Sequence, residues 1–375
     1  MRFFSVLAMM VSAWMMSAPA RALESGQPGQ ASSPMIAAAP GFLQEAHELF
    51  YPTYYIAPDD IDGDGLSDLL WFNASTSQFA YWISSPDNTD NGYARSSYKI
   101  YNITPGYHVG AVGDFNGDRK ADLIWTSAAN DLYFWASQGA SFKSTYIRNY
   151  PPGWELLGAG DIDGDGDADL LWWNESSCQF GYWIMRGAAV SRLQTFNVTC
   201  GYHVAAIGHF LQTTHLDLLW TSNAHDLYLW AGNGRGFTSR SLGTYATDGT
   251  IVGAAVAGDF GGINVYVKSE TGDEFSQYEY VSYYGPDGHV VRTTFGLVQT
   301  LPLNDGDYLG AMGNFDNGNE AVLIWANDSL NADSSPDQPG SLEWFTRTFS
   351  PQTPGWISAN IGGYPAGWRL LGAED

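Results

Sequence analysis

Asp161, Asp163, Asp165, Asp167 and Asp169 occupy alternate positions, and the apolar, Trp-rich run Leu170 to Trp173 follows at once. A near copy, DIDGDGLSDLLWF, lies at Asp60 to Phe72. Carboxylates spaced two apart on a tightly turned loop converge on one centre, and calcium takes roughly six to eight oxygens at about 2.4 Å. Asp161, Asp163 and Asp165 supply three such ligands, a backbone carbonyl near Asp167 a fourth, and Asp169 a closing carboxylate, with Gly164 and Gly166 permitting the turn. Without a cation these carboxylates repel one another, and a turn that needed only polarity would not keep a two-residue register. A helix-flanked EF-hand loop needs glutamate at its twelfth position. Here that residue is Trp172, and Trp71 in the other copy, so the EF-hand alternative fails.

The loops belong to a longer repeat. Versions begin at Tyr55, Gly106, Pro152 and Gly201, with weaker ones at Ile251 and Tyr308. Their first motif residues are Asp60, Asp114, Asp161, His209, Asp259 and Asn314, a period near 50 residues that accommodates four short strands and their turns. In the third repeat, strands are expected at Leu156–Ile162, Leu170–Asn174, Gln179–Met185 and Leu193–Val198, with no helical period anywhere. Four-stranded sheets are too thin to bury their own faces, so tryptophans after the loop (Trp71, Trp125, Trp172, Trp220, Trp325) and on the third strand (Trp82, Trp135, Trp183, Trp230, Trp344) must pack against neighbouring sheets. Repeats one and three resemble each other, as do two and four, which implies duplication of a pair of blades. The fold expected is all-β, a β-propeller of six blades, or of seven if the termini build a partial blade. The tail YPAGWRLLGAED repeats a blade's opening strand, and Phe42 to Phe50 reads as a blade's last strand, so the two ends are expected to meet in one sheet.

These G-D-[IF]-[DN]-G-D-x-x-x-D-L-[LI]-W segments resemble the FG-GAP / VCBS repeat family over about residues 50 to 375. The resemblance implies calcium-binding loops in a β-propeller. It places about three calcium sites on Asp60, Asp62, Asp64 and Asp68, on Asp114, Asn116, Asp118 and Asp122, and on Asp161, Asp163, Asp165 and Asp169. The fourth loop, HFLQTTHLD, keeps only Asp217 as an acid; the fifth loses most of the loop after Asp259; the sixth keeps Asn314 and Asp316 but has Val322 in the closing position.

Residues 1–22 read as a secretory signal peptide, with Arg2, an apolar run through Met16 and small residues near Ala20 and Ala22. Residues 23–41 read as a disordered leader, and 42–375 as the propeller. No later segment has the roughly 18 uninterrupted apolar residues of a spanning helix. In an oxidising compartment the two cysteines, Cys178 and Cys200, most simply form a disulfide. A net charge of -24 repels nucleic acid and anionic membranes and attracts cations.

Catalytic signatures are missing: there is no GxSxG, and HELFY at His47 lacks the second histidine of a zinc site. His108 and His203 in GYHV, and Asp131 and Asp226 in NDLY and HDLY, read as repeated packing or turn residues. The expected protein is therefore a secreted, extracellular or periplasmic, monomeric binding module and not an enzyme. Its partner would be a protein or a glycan, the latter held as by a lectin on aromatic clefts between blades.

Overall fold

Segments such as Asp169–Asn174 (DLLWWN) are buried along their whole length, which a strand accommodates only when both faces are covered. The computed structural model describes residues 45–46, 59–86, 93–211, 213–257, 262–284, 290–315, 322–328, 340–348 and 355–371. All the elements among these residues are strands, and they form six sheets arranged as a six-bladed β-propeller. The signal and leader segments lie outside the described residues.

From the inner to the outer edge, the third blade consists of Glu155–Gly160, Asp169–Asn174, Gln179–Arg186 and Ala189–Asn197, all antiparallel. The second blade runs Tyr107–Gly113, Asp122–Ser127, Asp131–Ser137 and Phe142–Asn149, and the fourth Tyr202–Gly208, Asp217–Ser222, Asp226–Gly232 and Phe237–Thr244. The fifth (Gly249–Ala257 to Val290–Pro302) and the sixth (Tyr308–Gly313 to Gly355–Tyr364) follow the same order. The third blade's outer strand begins earlier than expected because the chain turns back sharply after Arg186, which pairs with Ala189.

The first blade closes the ring. Its strands Leu69–Asn73, Gln78–Pro86 and Tyr93–Asn102 take their inner partner from the far end of the chain, Arg369–Leu370, with Trp71 opposite Leu370 and Phe72 opposite Arg369. The N-terminal segment does not join this sheet as expected. Glu45–Ala46 instead pairs in parallel with Ile207–Gly208 of the fourth blade's inner strand, whose inner edge stood open. An outer-strand role in the first blade was already taken by Tyr93–Asn102.

The core lies between blades. Trp125 meets Trp135 of its own blade at 5.0 Å and Phe79 of the first blade edge-on at 5.6 Å. Trp220 repeats this with Trp230 at 4.8 Å and Phe180 at 5.6 Å. Phe79, Tyr101 and Phe142 at the first junction correspond to Phe180, Phe196 and Phe237 at the third, as duplication of a blade pair requires. Such close approach demands small residues on inner strands: a Cβ on Gly160 would lie 2.5 Å from Leu216 of the next blade.

Candidate metal loops

The second to fourth loops each join an inner strand to a second strand, and the first leads into the second strand of its blade, so the loops share one end of the propeller. In the first, Asp60 accepts from the backbone N–H groups of Gly63 at 2.6 Å, Asp64 at 3.2 Å and Gly65 at 2.8 Å. Asp161 does the same with Gly164 at 2.7 Å, Asp165 at 3.2 Å and Gly166 at 2.8 Å. Gly164 (φ 79°) and Gly166 (φ 92°) are left-handed, as the turn reading requires.

The closing aspartates are struts as well as candidate ligands. Asp68 accepts from Ile61 N–H and from Ser84 N–H on the third strand, both at 2.8 Å. Asp122 bonds Phe115 and Ser137, Asp169 bonds Ile162 and Met185, and Asp217 bonds Leu211 and Gly232. The fourth loop thus keeps its buried Asp217 after losing the other acids because two backbone donors depend on it. Asp217→Ala should leave both N–H groups unsatisfied and cost about 2–4 kcal/mol. Thermal melts should show this loss equally with and without calcium; a loss seen only with calcium would contradict the strut role.

Backbone bonds also link successive loops. Ala121 N–H donates to Asp60 C=O at 2.6 Å, Ala168 to Asp114 at 2.6 Å, Leu216 to Asp161 at 2.8 Å and, across the closure, Ser67 to Asn314 at 2.6 Å. The donor each time immediately precedes the closing position, so the first and last candidate ligands of adjacent loops are mechanically joined. Sequence periodicity carries no trace of this register.

Two groups bring carboxylate oxygens within 4.8 Å of one another: Asp60, Asp62 and Asp68, and Asp161, Asp163 and Asp169. Asp64 and Asp165 instead accept from Leu66 N–H at 2.9 Å and Asp167 N–H at 3.0 Å, holding the turn. In the second loop Asp114 is bound by four backbone N–H groups, and the Asn116 amide donates to Asp122 at 2.6 Å. Asp118 lies at the exposed edge, 4.0 Å from Lys120. Val322 is buried at the start of its strand, while Asp259 and Asp316 lie outside the described residues.

Burial pushes Asp68 up to about 9, Asp169 to about 8 and Asp122 to about 7, the backbone bonds only partly opposing it. Asp60 is raised to about 6 by burial and by repulsion from Asp64 and Asp62. Buried carboxylates of this kind favour either a proton or a counter-cation. Asp163 Oδ1 is buried with no hydrogen-bond partner, an oxygen suited to a metal. The donor set is all oxygen, which fits a hard divalent cation such as calcium.

The other singled-out residues sit at the opposite end. Asp131 accepts from Tyr107 and Ser127, and Asp226 from Tyr202 and Ser222, which agrees with a turn role. His108 and His203 are exposed at the start of inner strands and so do not pack the blades. Cys178 and Cys200 are disulfide-bonded there, tying the turn between the third blade's second and third strands to the crossover into the fourth. Arg186 was missed from sequence: it pairs with Asp163 at 3.7 Å and more closely with Asp165. The signal was its position, since the corresponding residues of the first, second and fourth blades are Ser85, Gln138 and Asn233.

Residues 60–125 and 114–172 match the FG-GAP-like repeat. No curated protein matches the chain. Among solved structures, the Photorhabdus luminescens Tc holotoxin pore is 14% identical with a TM-score of 0.46, over 82% of this chain and 16% of that one. The present chain therefore spans about a sixth of that toxin chain. BBS1N in complex with ARL6DN is 13% identical with a TM-score of 0.39, over 88% of this chain and 87% of that one. Kuenenia stuttgartiensis hydrazine synthase is 10% identical with a TM-score of 0.41, over 68% and 66%. The blade count rests on strand pairing and not on these likenesses. Residues 60–172 are FG-GAP-like repeats, and the chain that carries them is a six-bladed β-propeller.

Proposed function

We propose that this protein is an exported, calcium-stabilised propeller that acts as a non-catalytic binding module. The observation that carries this reading is the division of labour between the two ends. Acidic loops at one end are bonded into the frame. The other end opens a cavity of about 630 Å³ between the fifth, sixth and first blades. Export draws support from the signal-like residues 1–22 and from the disulfide.

Calcium would be held by Asp60, Asp62 and Asp68 and by Asp161, Asp163 and Asp169, where it would neutralise buried carboxylates. The second loop would join them if Asn116 turned its amide oxygen inward. Calorimetric titration with calcium chloride should report at least two sites. A flat titration would defeat the calcium reading.

A second reading, a lectin, is favoured by the cavity's chemistry. Thr250, Lys268, Glu270, Asp307, Asp328 and Arg369 line it with hydroxyl, amine, carboxylate and guanidinium groups suited to a polyhydroxylated ligand. The tryptophans between blades are committed to the core: Trp71, Trp125, Trp172 and Trp220 are at most 2% exposed. A sugar site would thus lie at the cavity rather than in aromatic clefts. Glycan-array binding that Lys268→Ala and Glu270→Ala abolish would establish the lectin. Array binding unaffected by both would exclude this cavity.

A further inference from the structure

We propose that Arg186 is a built-in counter-cation for the third Asp loop, which calcium must displace, so that this loop binds calcium more weakly than the first. The inference rests on the calcium reading above and adds a ranking that the repeat pattern does not contain. By sequence the two loops share DIDGDG and the closing aspartate and differ in charge within the loop at Leu66 against Asp167, whose carboxylate stands outside the acidic cluster and itself interacts with Arg186. Their frames are equivalent, since Asp60 and Asp161 receive the same three N–H bonds, and Asp68 and Asp169 the same pair.

The difference that places a positive charge on a cluster acid is the residue at the end of the third strand beside the loop. In the first blade it is Ser85; in the third it is Arg186. The guanidinium is anchored by a 2.8 Å bond from Nη1 to the Met185 carbonyl, pairs with Asp165 through Nη1, and lies 3.7 Å from Asp163 Oδ2 through Nη2. Asp163 belongs to the acidic cluster itself, and its other oxygen is the buried one without a partner. A fixed positive charge on a prospective ligand lowers calcium affinity in two ways. It repels the incoming ion, and its ion pairs with Asp163 and Asp165 must open before those carboxylates can reorient. The first loop also has a cation nearby, Lys120 of the second blade, which acts on Asp62. That ammonium lies on a flexible arm, 4.0 Å from Asp118, and cannot form the two-pronged pairing of a guanidinium.

Arg186 is partly exposed, its side chain 46% accessible, so solvent limits the penalty to about fivefold in affinity. The same arginine stabilises the third loop when calcium is absent, because it offsets part of the repulsion among Asp161, Asp163 and Asp165.

Calcium chloride titration of the whole chain, wild type against Arg186→Gln and Arg186→Lys, tests this. The wild type should resolve a tighter and a weaker class of site. Arg186→Gln should strengthen the weaker class about fivefold and leave the tighter one unchanged, with Arg186→Lys falling between them. In chelator, Arg186→Gln should melt below the wild type; in saturating calcium the two should coincide. Unchanged affinity in both classes, or weaker binding in Arg186→Gln, would overturn the competition. A wild type that takes up no calcium would overturn it together with the reading beneath it, and a flat wild-type titration identifies that case.

Discussion

Chelation of calcium should lower the melting temperature of the folded protein by about 10 °C at neutral pH. Two sites, of about 10 μM and about 50 μM affinity in roughly millimolar calcium, would together contribute about 4.5 kcal/mol by mass action. A domain of this size shifts by about 2 °C per kcal/mol. The sign of the pH dependence follows from the buried carboxylates. Burial raises Asp68 to about 9 and Asp169 to about 8, so in the metal-free fold both are protonated near neutrality. Their favourable contribution is complete below the ordinary aspartate value and is lost as pH rises through about 8 to 9. Calcium binds only the ionised carboxylates, so its affinity rises over the same interval and uptake releases protons. The gap between melts in calcium and in chelator should therefore widen from pH 5 to pH 9. Titrations in buffers of different ionisation enthalpy should record the proton release. Coincident melting curves in calcium and chelator at pH 9 would exclude a calcium contribution to stability.

Ending the chain at Tyr364 should abolish cooperative unfolding. The removed segment contains Arg369–Leu370, which completes the first blade, and Leu371, whose N–H donates to Leu70 C=O at 2.8 Å. Leu370 is buried against the sixth blade: its Cδ1 lies 2.4 Å from the position a Cβ on Gly310 would take. Its loss opens the ring between the first and sixth blades, bares the second strand carrying Trp71 and creates an unpaired apolar edge that promotes aggregation. Leu370→Ala, which keeps the strand, should cost about 2–5 kcal/mol and retain a single transition. A truncated chain that stays monodisperse in size-exclusion chromatography and melts with the full-length protein would show that the closure strand is dispensable.

Both expectations rest on features with different legibility. The Asp loops, the blade period and the pairing of blades one with three and two with four could be read because each depends on residue type at fixed spacing. Cys178 and Cys200 were likewise identified by their number alone. The closure was read only in part. The resemblance of YPAGWRLLGAED to an inner strand is a local pattern and identified the strand, but not that it completes the first blade beside Leu69–Asn73. The destination of Glu45–Ala46 is a contact across more than 150 residues with no matching pattern, and it separates these residues from the C-terminal strand they were expected to meet in one sheet. His108 and His203 were expected to serve packing or turns because they repeat; their exposure follows from their place next to the turn that opens each inner strand.

Within the loops the same division holds. Sequence alone determined that oxygen ligands recur in register, because the two-residue spacing and its glycines are encoded within about ten consecutive residues. It also determined that the blades need one another, since each repeat carries more aromatic surface than a four-stranded sheet can bury. Only the tertiary structure decided which acids converge, that closing aspartates also brace the third strand, and that each loop is bonded to the next. It alone brought Arg186 onto Asp163 and Asp165 from 21 or more positions away. Ligand spacing is a property of a continuous chain, whereas the charge that reaches a ligand depends on which strand end the fold sets beside it.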